Sequence, residues 1–312
     1  YSRFFTRALS DVGYLNLDEP FHGLMTQGMV CHQSFRTEKG QWLFPNEVKK
    51  YGKGFFSVFD NLPVQVGRVE KMSKSKKNVV DPEEIIKTYG ADTARLFMLS
   101  DSPPDRDLEW TESGVEGSFR FINKIYKLTI AAPKKPNHTI KISELDSLLE
   151  EELNLIKTSH RSVKIIEENI ERFAFNKCIA QLHIFVNAIT SFNQKGERSE
   201  QIKHNALELL AHVLAPFVPH IAEELWSKLG NSDFISSSHW PNIFETLLKD
   251  DTVEIAVQIN GKIRAKINLP LDLPKEKVEA AALSLNEVKK YMGGREVKRI
   301  IVVPNRIVNV VG

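Results

Sequence analysis

The sequence has almost no cysteine: Cys31 and Cys178 are the two in 312 residues, and they lie far apart in the chain. A disulfide framework is therefore not expected. No positively charged apolar leader opens the chain, so a secretory signal is not expected either, and a reducing cytoplasm is the default location. The Asn137-His138-Thr139 sequon then has no glycan to carry. Long hydrophobic runs are also missing. The longest apolar stretch, around Ala206 to Ala222, is interrupted by Glu208, His212, Pro216, Pro219 and His220. It falls short of the roughly 18 uninterrupted residues of a spanning helix, so no membrane is expected among the partners. Charge of one sign is not in excess, since 42 Lys and Arg face 40 Asp and Glu. There is no internal repeat and no low-complexity tract.

What is present is enough apolar side chain, 42% of residues, for a packed core in more than one unit. At roughly 100 to 200 residues per domain, two or three domains are expected. Tyr1 stands within the amphipathic pattern Tyr1, Phe4, Phe5, Ala8, Leu9, so the chain is expected to begin partway along a helix, with more protein upstream. The near-neutral balance hides an asymmetry: Val253 to Gly312 carries eleven basic and six acidic side chains. That excess suggests that the C-terminal part meets a polyanion, although a modest excess is often only a solvated face.

Short strands with turns are predicted over residues 24 to 69: Leu24 to Val30, Gln41 to Phe44 and Val64 to Val69. Asp81-Pro82-Glu83-Glu84 has the chemistry of a helix start, with Asp81 as cap and Pro82 at the first position. Gly90 and Asp92 separate that helix from a second at Ala94 to Leu99, so an α/β unit is predicted up to about residue 110. From Thr111 to Ala132 the positions Val115, Phe119, Ile122, Ile125, Tyr126 and Leu128 recur at helical spacing. A polar connection, Pro133-Lys134-Lys135-Pro136-Asn137, leads to three or four more helical patterns between Ser143 and Gly230. The stripe Phe175, Cys178, Ile179, Leu182, Phe185, Val186, Ile189 reads as bundle core, which makes Cys178 a core residue. Beyond Trp240-Pro241, strands at Val253 to Ile259 and Lys262 to Leu269 meet at Asn260-Gly261, the chemistry of a two-residue type I′ turn. A helix over Lys275 to Tyr291 and strands at Val297 to Val303 and Arg306 to Val311 complete a small α+β domain. The expected domains are thus 1–110, 111–245 and 250–312.

The segment that carries chemistry is Lys71-Met72-Ser73-Lys74-Ser75-Lys76-Lys77-Asn78, with four lysines and two serines in eight positions between a strand and a capped helix. Ammonium groups on flexible stems follow a phosphate whose charge changes during reaction, and hydroxyls donate to its oxygens. Asp81, Glu83 and Glu84 make the next helix start a poor anion site, so the loop lysines must supply the attraction. Taken alone, a lysine-serine run is usually a solvated loop, a localisation tag or a nonspecific nucleic-acid contact. This one lies between Gly67-Arg68-Val69-Glu70 and Val79-Val80-Asp81-Pro82 rather than in a tail.

In that setting Lys71 to Ser75 resembles the KMSKS signature of class I aminoacyl-tRNA synthetases. Tyr1-Ser2-Arg3-Phe4-Phe5, Thr26-Gln27-Gly28-Met29-Val30, Asp107-Leu108-Glu109-Trp110, Gly114-Val115-Glu116-Gly117, the run from Leu214 to Trp226 and Val257-Gln258-Ile259-Asn260-Gly261-Lys262 narrow the resemblance to the leucyl family, bacterial type. The resemblance implies a multidomain α/β plus all-α plus α+β chain: part of a Rossmann-like catalytic domain, a helical bundle of the class Ia anticodon-binding type and a small C-terminal α+β domain. It implies a ligase that activates leucine with ATP and Mg2+ and passes the acyl group to tRNA(Leu). By the same analogy Lys74 is the main triphosphate contact, Lys71 assists, Ser73 and Ser75 hold the loop and its phosphate contacts, and Met72 packs and fixes the loop. Backbone near Gly28, Met29 and Val30 would lie by the adenine. Lys262, Arg264, Lys266, Lys298, Arg299 and Arg306 are the candidates for tRNA phosphates, which need cations on one accessible surface. No protein metal site is expected. His220, beside Pro219, reads as a packed or capping histidine.

Departures from the family pattern are as informative. The HIGH-type histidine motif is missing, since His22, His32 and the other histidines lack its surroundings, and no editing domain is present. Pocket fit discriminates only about 10 to 200-fold per methylene, which is why the family edits. The chain is therefore expected to be inactive alone and to need the N-terminal half of the synthetase. Losing half of a doubly wound sheet is expected to cause self-association or local disorder in residues 1–110. Residues 46–63 occupy the place of a variable insertion without an assignable contact. Two alternatives stand beside this reading: a noncatalytic tRNA-binding subunit of a split synthetase, and a valyl or isoleucyl relative.

Overall fold

The computed structural model describes residues 1–133, 145, 147–248, 252–293 and 295–312. The connection expected at 133–137, Pro133 apart, and the Asn137 sequon lie outside the described residues. The chain divides into two units, Tyr1–Ile243 and Phe244–Gly312.

In the first unit, α1 (Ser2–Asp11) is followed by a sheet organised around β1 (Val30–Arg36). On β1 pair β2 (Trp42–Leu43) and β5 (Gln65–Lys71), both antiparallel, and β6 (Leu108–Glu109), which is parallel. The expected strand at Leu24 to Val30 is corrected, because strand pairing starts only at Val30. Strand extent is set by partners: β5 ends opposite Cys31 and β6 begins opposite Val30, so among the described residues no strand pairs with residues 24–28, and the Gly28 N–H goes instead to the Pro104 carbonyl at 2.8 Å. Residues 46–63 contain a hairpin, β3 (Val48–Tyr51) and β4 (Gly54–Ser57), whose Phe55 ring packs 5.5 Å from that of Phe35 on β1.

Two helices follow the lysine loop. Asp81 caps α2 (Pro82–Tyr89) by accepting from the Glu83 N–H at 2.9 Å. Gly90, at φ +85°, turns the chain into α3 (Ala91–Ser100), so Asp92 lies inside that helix and not before it. Thr111 accepts from the Gly114 N–H to start α4 (Glu112–Ile130). The buried face of α4 is rotated from the expected one: Val115, Phe121 and Ile125 are buried, whereas Phe119 and Tyr126 are exposed. The reason is that α3 and α8, and α6 through His183 beside Phe121, pack on one side of α4, whereas Phe119 lies 5.5 Å from the Tyr89 ring of α2 and keeps part of its surface in water.

The bundle continues through α5 (Glu150–Glu171), α6 (Phe175–Ser191), α7 (Glu197–Leu214) and α8 (Pro219–Lys228). On α6 the side chains Cys178, Leu182, Phe185, Val186 and Ile189 are fully buried in one core shared with α5 and α7. Burial of each such Leu, Val, Ile or Phe stabilises by about 1.5–3 kcal/mol.

In the second unit, β7 (Thr252–Ile259) and β8 (Lys262–Pro270) form the expected hairpin, with Asn260 at φ +49° and Gly261 at φ +81°. The sheet order is β8-β7-β10-β9, where β9 is Arg299–Val303 and β10, Ile307–Val311, runs parallel to β7. The single helix expected over Lys275 to Tyr291 is two, α9 (Lys275–Ser284) and α10 (Asn286–Met292). Leu285 between them is extended, and its side chain packs against the core under the sheet.

Candidate functional site

The lysine run is a continuation of β5 that folds back on itself. Lys71 is the last residue of the strand, opposite Cys31, and the Met72 N–H extends the pairing by donating to the Val30 carbonyl at 3.0 Å. Ser73 is extended, Lys74–Lys76 form one turn of 3-10 helix, and Lys77 reverses the chain at φ +53°. Two backbone bonds, Lys76 N–H to Ser73 and Lys77 N–H to Lys74, close the turn. The Ser73 and Ser75 hydroxyls share a 2.7 Å hydrogen bond.

Asn78 holds this turn from beneath. It is fully buried, and its carboxamide donates to the carbonyls of His32 at 3.0 Å, Glu70 at 3.2 Å and Lys71 at 3.3 Å, while its oxygen accepts from the Ser73 N–H at 2.9 Å. Beside it the Glu70 carboxylate accepts from Lys76 Nζ and, at 2.9 Å, from the Ser34 hydroxyl. Lys76 and then Ser34 hold the Glu70 carboxyl below the usual carboxylate range. A Cβ at Gly67 would stand 2.3 Å from Ser34 Oγ, so a larger residue there would displace the hydroxyl that holds Glu70.

The four lysines are thereby divided. Lys76 is paired with Glu70, and the Lys77 ammonium lies 4.9 Å from the centre of the Phe44 ring. Lys71 and Lys74 are exposed and have no side-chain partner among the described residues. Two cations and a hydroxyl pair thus project from a turn whose backbone is pinned at both ends, an arrangement able to grip a polyphosphate.

Met72 faces the other way. It lines an apolar cavity of about 280 Å³ with Val30, Val80, Ile85, Met98 and Trp110, as suits a side chain that fixes the loop by packing. Near Met29 and Val30 the backbone is already engaged. The Met29 N–H donates to Asp107 Oδ1 at 2.8 Å, its carbonyl accepts from Leu108 N–H, and the Val30 carbonyl accepts from Met72 N–H. Gly28 fits against the Arg106 carbonyl, 2.0 Å from where a Cβ would stand. Cys31 is buried there, and burial, with Asp107 and Glu109 nearby, raises its thiol above the ordinary range.

The loop side of the unit is tied to the bundle by α3. The Asp92 carboxylate accepts from the Ile221 N–H at 2.8 Å and the His220 N–H at 3.3 Å, while Arg95 donates to the carbonyls of Phe217 and Pro216, both at 2.9 Å. His220 is corrected accordingly: its backbone is capped by Asp92, and its side chain is 76% exposed rather than packed.

In the second unit the six basic candidates do not share a face. The bulge between Val257 and Gln258 places the Arg264 guanidinium over the Tyr291 ring of α10, at 4.5 Å, on the side the helices cover. Lys266, opposite Ala256, lies on the other face, bound to Glu254 at 2.7 Å. Arg299 starts β9 at the far edge from β8, Arg306 lies in the turn before β10, and the Lys298 and Lys262 side chains are exposed.

Comparison with known proteins finds likeness over the residues that hold the loop and over much of the bundle. Residues 55–111 match the sequence model of class I tRNA synthetases (I, L, M and V), and residues 152–280 match the anticodon-binding domain of tRNA ligase. Leucine–tRNA ligases from Rhodospirillum rubrum and Paramagnetospirillum magneticum are 46% and 45% identical over the whole chain. Along its whole length the chain is similar to leucyl-tRNA synthetases. It spans 36% of the length of each of those two synthetases. A LeuRS–tRNA–LeuAMS ternary complex from Agrobacterium radiobacter superposes with a TM-score of 0.65 at 28% identity, covering all of this chain and 36% of that one. Multidomain α/β plus helical architecture is therefore shared with the synthetases. Among the described residues, no helix is long and apolar enough to cross a membrane.

Sequence reasoning singled out the lysine loop but not the residues that hold it, Asn78 at its end, Glu70 on β5 and Ser34 on β1, nor Asp92 and Arg95 behind it. Asn78 alone had a visible signal, an amide ending a charged run immediately before Val79-Val80.

Proposed function

We propose that this chain is the part of a leucine-tRNA ligase that supplies the phosphate-gripping loop and the tRNA-binding units, within the boundaries 1–110, 111–245 and 250–312. The reaction is attack of the leucine carboxylate on the α-phosphate of ATP, loss of pyrophosphate, and transfer of the acyl group to the 3′ end of tRNA(Leu). No protein nucleophile takes part, so catalysis is positioning and stabilisation of charge growing on the phosphates. Lys74 is the principal contact to that charge and Lys71 the second. Ser73 and Ser75 hold the turn and donate to phosphate oxygens, and Met72 anchors it. Met29 and Val30 line the adenine side through whatever their engaged backbone leaves free. Mg2+ arrives with the nucleotide, whose charge it partly neutralises. The partners are tRNA(Leu), leucine, ATP and the N-terminal half that carries the other nucleotide-binding motif, in the cytoplasm. Lys262, Arg264, Lys266, Lys298, Arg299 and Arg306 are the candidates for tRNA phosphates in the second unit, though Arg264 and Lys266 lie on opposite faces of its sheet, so that all six do not serve one phosphate surface.

The observation that carries this reading is a pair of exposed cations without a side-chain partner among the described residues, Lys71 at the end of β5 and Lys74 on the pinned turn that follows it. Its test is leucine-dependent ATP–pyrophosphate exchange by this chain mixed with a separately expressed N-terminal half of a leucyl-tRNA synthetase. Activity is expected only in the mixture, falling about 100-fold or more in Lys74→Ala, the loss typical of one preorganised donor. An assembled mixture that exchanges nothing, or that runs on valine or isoleucine instead, overturns it.

A further inference from the structure

Within the lysine loop, a fully buried amide makes more hydrogen bonds than any residue that faces solvent there. Asn78 makes four, and each has a structural consequence. The bond to the His32 carbonyl ties the loop's end to β1, 46 residues earlier. Those to Glu70 and Lys71 fix the last residues of β5, and the bond from Ser73 N–H fixes the entry to the turn. The pattern needs two donor hydrogens facing three carbonyls and one acceptor facing an N–H, which only a carboxamide supplies. An aspartate of the same shape would turn the donors into acceptors against three carbonyl oxygens. Glu70 clasps the opposite limb by pairing with Lys76 while held by Ser34.

We propose that Asn78, with the Glu70–Lys76 pair beside it, is the positioning element of the loop. It sets the one backbone conformation from which Lys71 and Lys74 project, and it touches neither nucleotide nor amino acid. Lys76, although part of the same basic run, is a strut and not a phosphate ligand. This assignment rests on the adenylation reading above for its catalytic consequence and on hydrogen bonding alone for its structural one.

The two are separated by measuring both in the same samples. Amide hydrogen exchange is followed by mass spectrometry for Asn78→Asp and Lys76→Met in the full chain, and kcat and the KM for ATP are followed in the complemented exchange assay. For Asn78→Asp, peptides covering 72–77 are expected to exchange faster while α5–α7 stay protected. Its kcat falls about 10- to 100-fold, the cost of a misplaced reacting group. For Lys76→Met, which removes an accessible side chain and leaves the core intact, kcat falls by a smaller factor and the KM for ATP stays within twofold of wild type.

Unchanged loop exchange and unchanged kcat in Asn78→Asp would overturn the proposal, as would a released loop with full activity. A several-fold rise in the KM for ATP in Lys76→Met would make Lys76 a phosphate ligand and overturn its assignment as a strut. Should Asn78→Asp fail to fold, Asn78→Ser, which keeps one donor, takes its place with the same readouts. If the wild-type mixture supports no exchange at all, it is the adenylation reading that fails, and loop exchange in the two variants then decides whether Asn78 sets the turn.

Discussion

Removing the Asp92 carboxylate should weaken the first unit far from where Asp92 stands in the sequence. The α8 helix begins Val218-Pro219, and neither residue caps it: Val218 has no acceptor side chain and Pro219 no N–H. The first N–H groups in need of a partner are those of His220 and Ile221, and the carboxylate that accepts both comes from α3, 128 and 129 residues earlier. Asp92 is only 6% exposed, so water does not replace it easily. Loss of an N-cap costs about 0.5–2 kcal/mol, and a hydrogen bond to a charged group contributes about 1.5–3 kcal/mol. These overlap, because the same bonds are counted in each, and the 3.4 Å contact with the exposed His220 ring adds little. Asp92→Ala is therefore expected to destabilise by about 3 kcal/mol, which for a unit of this size lowers the melting temperature by about 6–12 °C. Asp92→Asn keeps one acceptor oxygen and should lose roughly half as much. Scanning calorimetry supplies the melting temperature, and hydrogen exchange at the Ile221 amide supplies the local effect. A melting temperature for Asp92→Ala within about 1 °C of wild type, with Ile221 still protected, would refute the capping argument.

Two predictions concern titration. Burial pushes the Cys178 thiol up to about 11, whereas an unfolded cysteine ionises near about 8.5. The folded state keeps its proton where the unfolded state loses one, so this stabilisation is complete below the unfolded value and is lost as pH rises toward 11. A thiol reagent at pH 8 should leave Cys178 unmodified until denaturant is added, and rapid native labelling would contradict its burial. Burial lowers the imidazole values of His160, His183 and His212 below the ordinary range, with Lys124 adding to the effect at His183 and Glu208 and Asp233 opposing it at His212. Their contribution is present above the unfolded value near about 6.5 and is lost as pH falls through the lowered folded values. The urea midpoint of the first unit should drop between pH 7 and pH 5, with a shallower drop in His212→Gln; a flat profile in wild type would count against all three.

Much of the fold was legible because it follows from local chemistry. The Asp81-Pro82 helix start, the Asn260-Gly261 turn and the apolar stripe of α6 depend on φ preferences and on spacing within a few residues, and each stands where the sequence places it. Elements whose limits depend on partners were less legible. The sequence pattern could not show that β1 waits until Val30, that Leu285 divides the last helix, or that α4 buries Phe121 and leaves Phe119 exposed.

The functional site divides along the same line. By itself the sequence determined that a lysine-rich turn follows a strand, that a capped helix follows the turn, and that the run resembles a synthetase signature, because composition and neighbours along the chain carry that information. Only the tertiary structure decided which lysines are available. Lys76 is bound by a carboxylate whose other partner, Ser34, is 36 residues from it, and Asn78 reaches a carbonyl 46 residues away. The same holds for the second unit, where a strand bulge turns Arg264 toward Tyr291 and parts it from Lys266. Hydrogen bonds and ion pairs act over about 3 Å in space without regard to separation along the chain, so folding alone determines which charges remain free to meet a ligand.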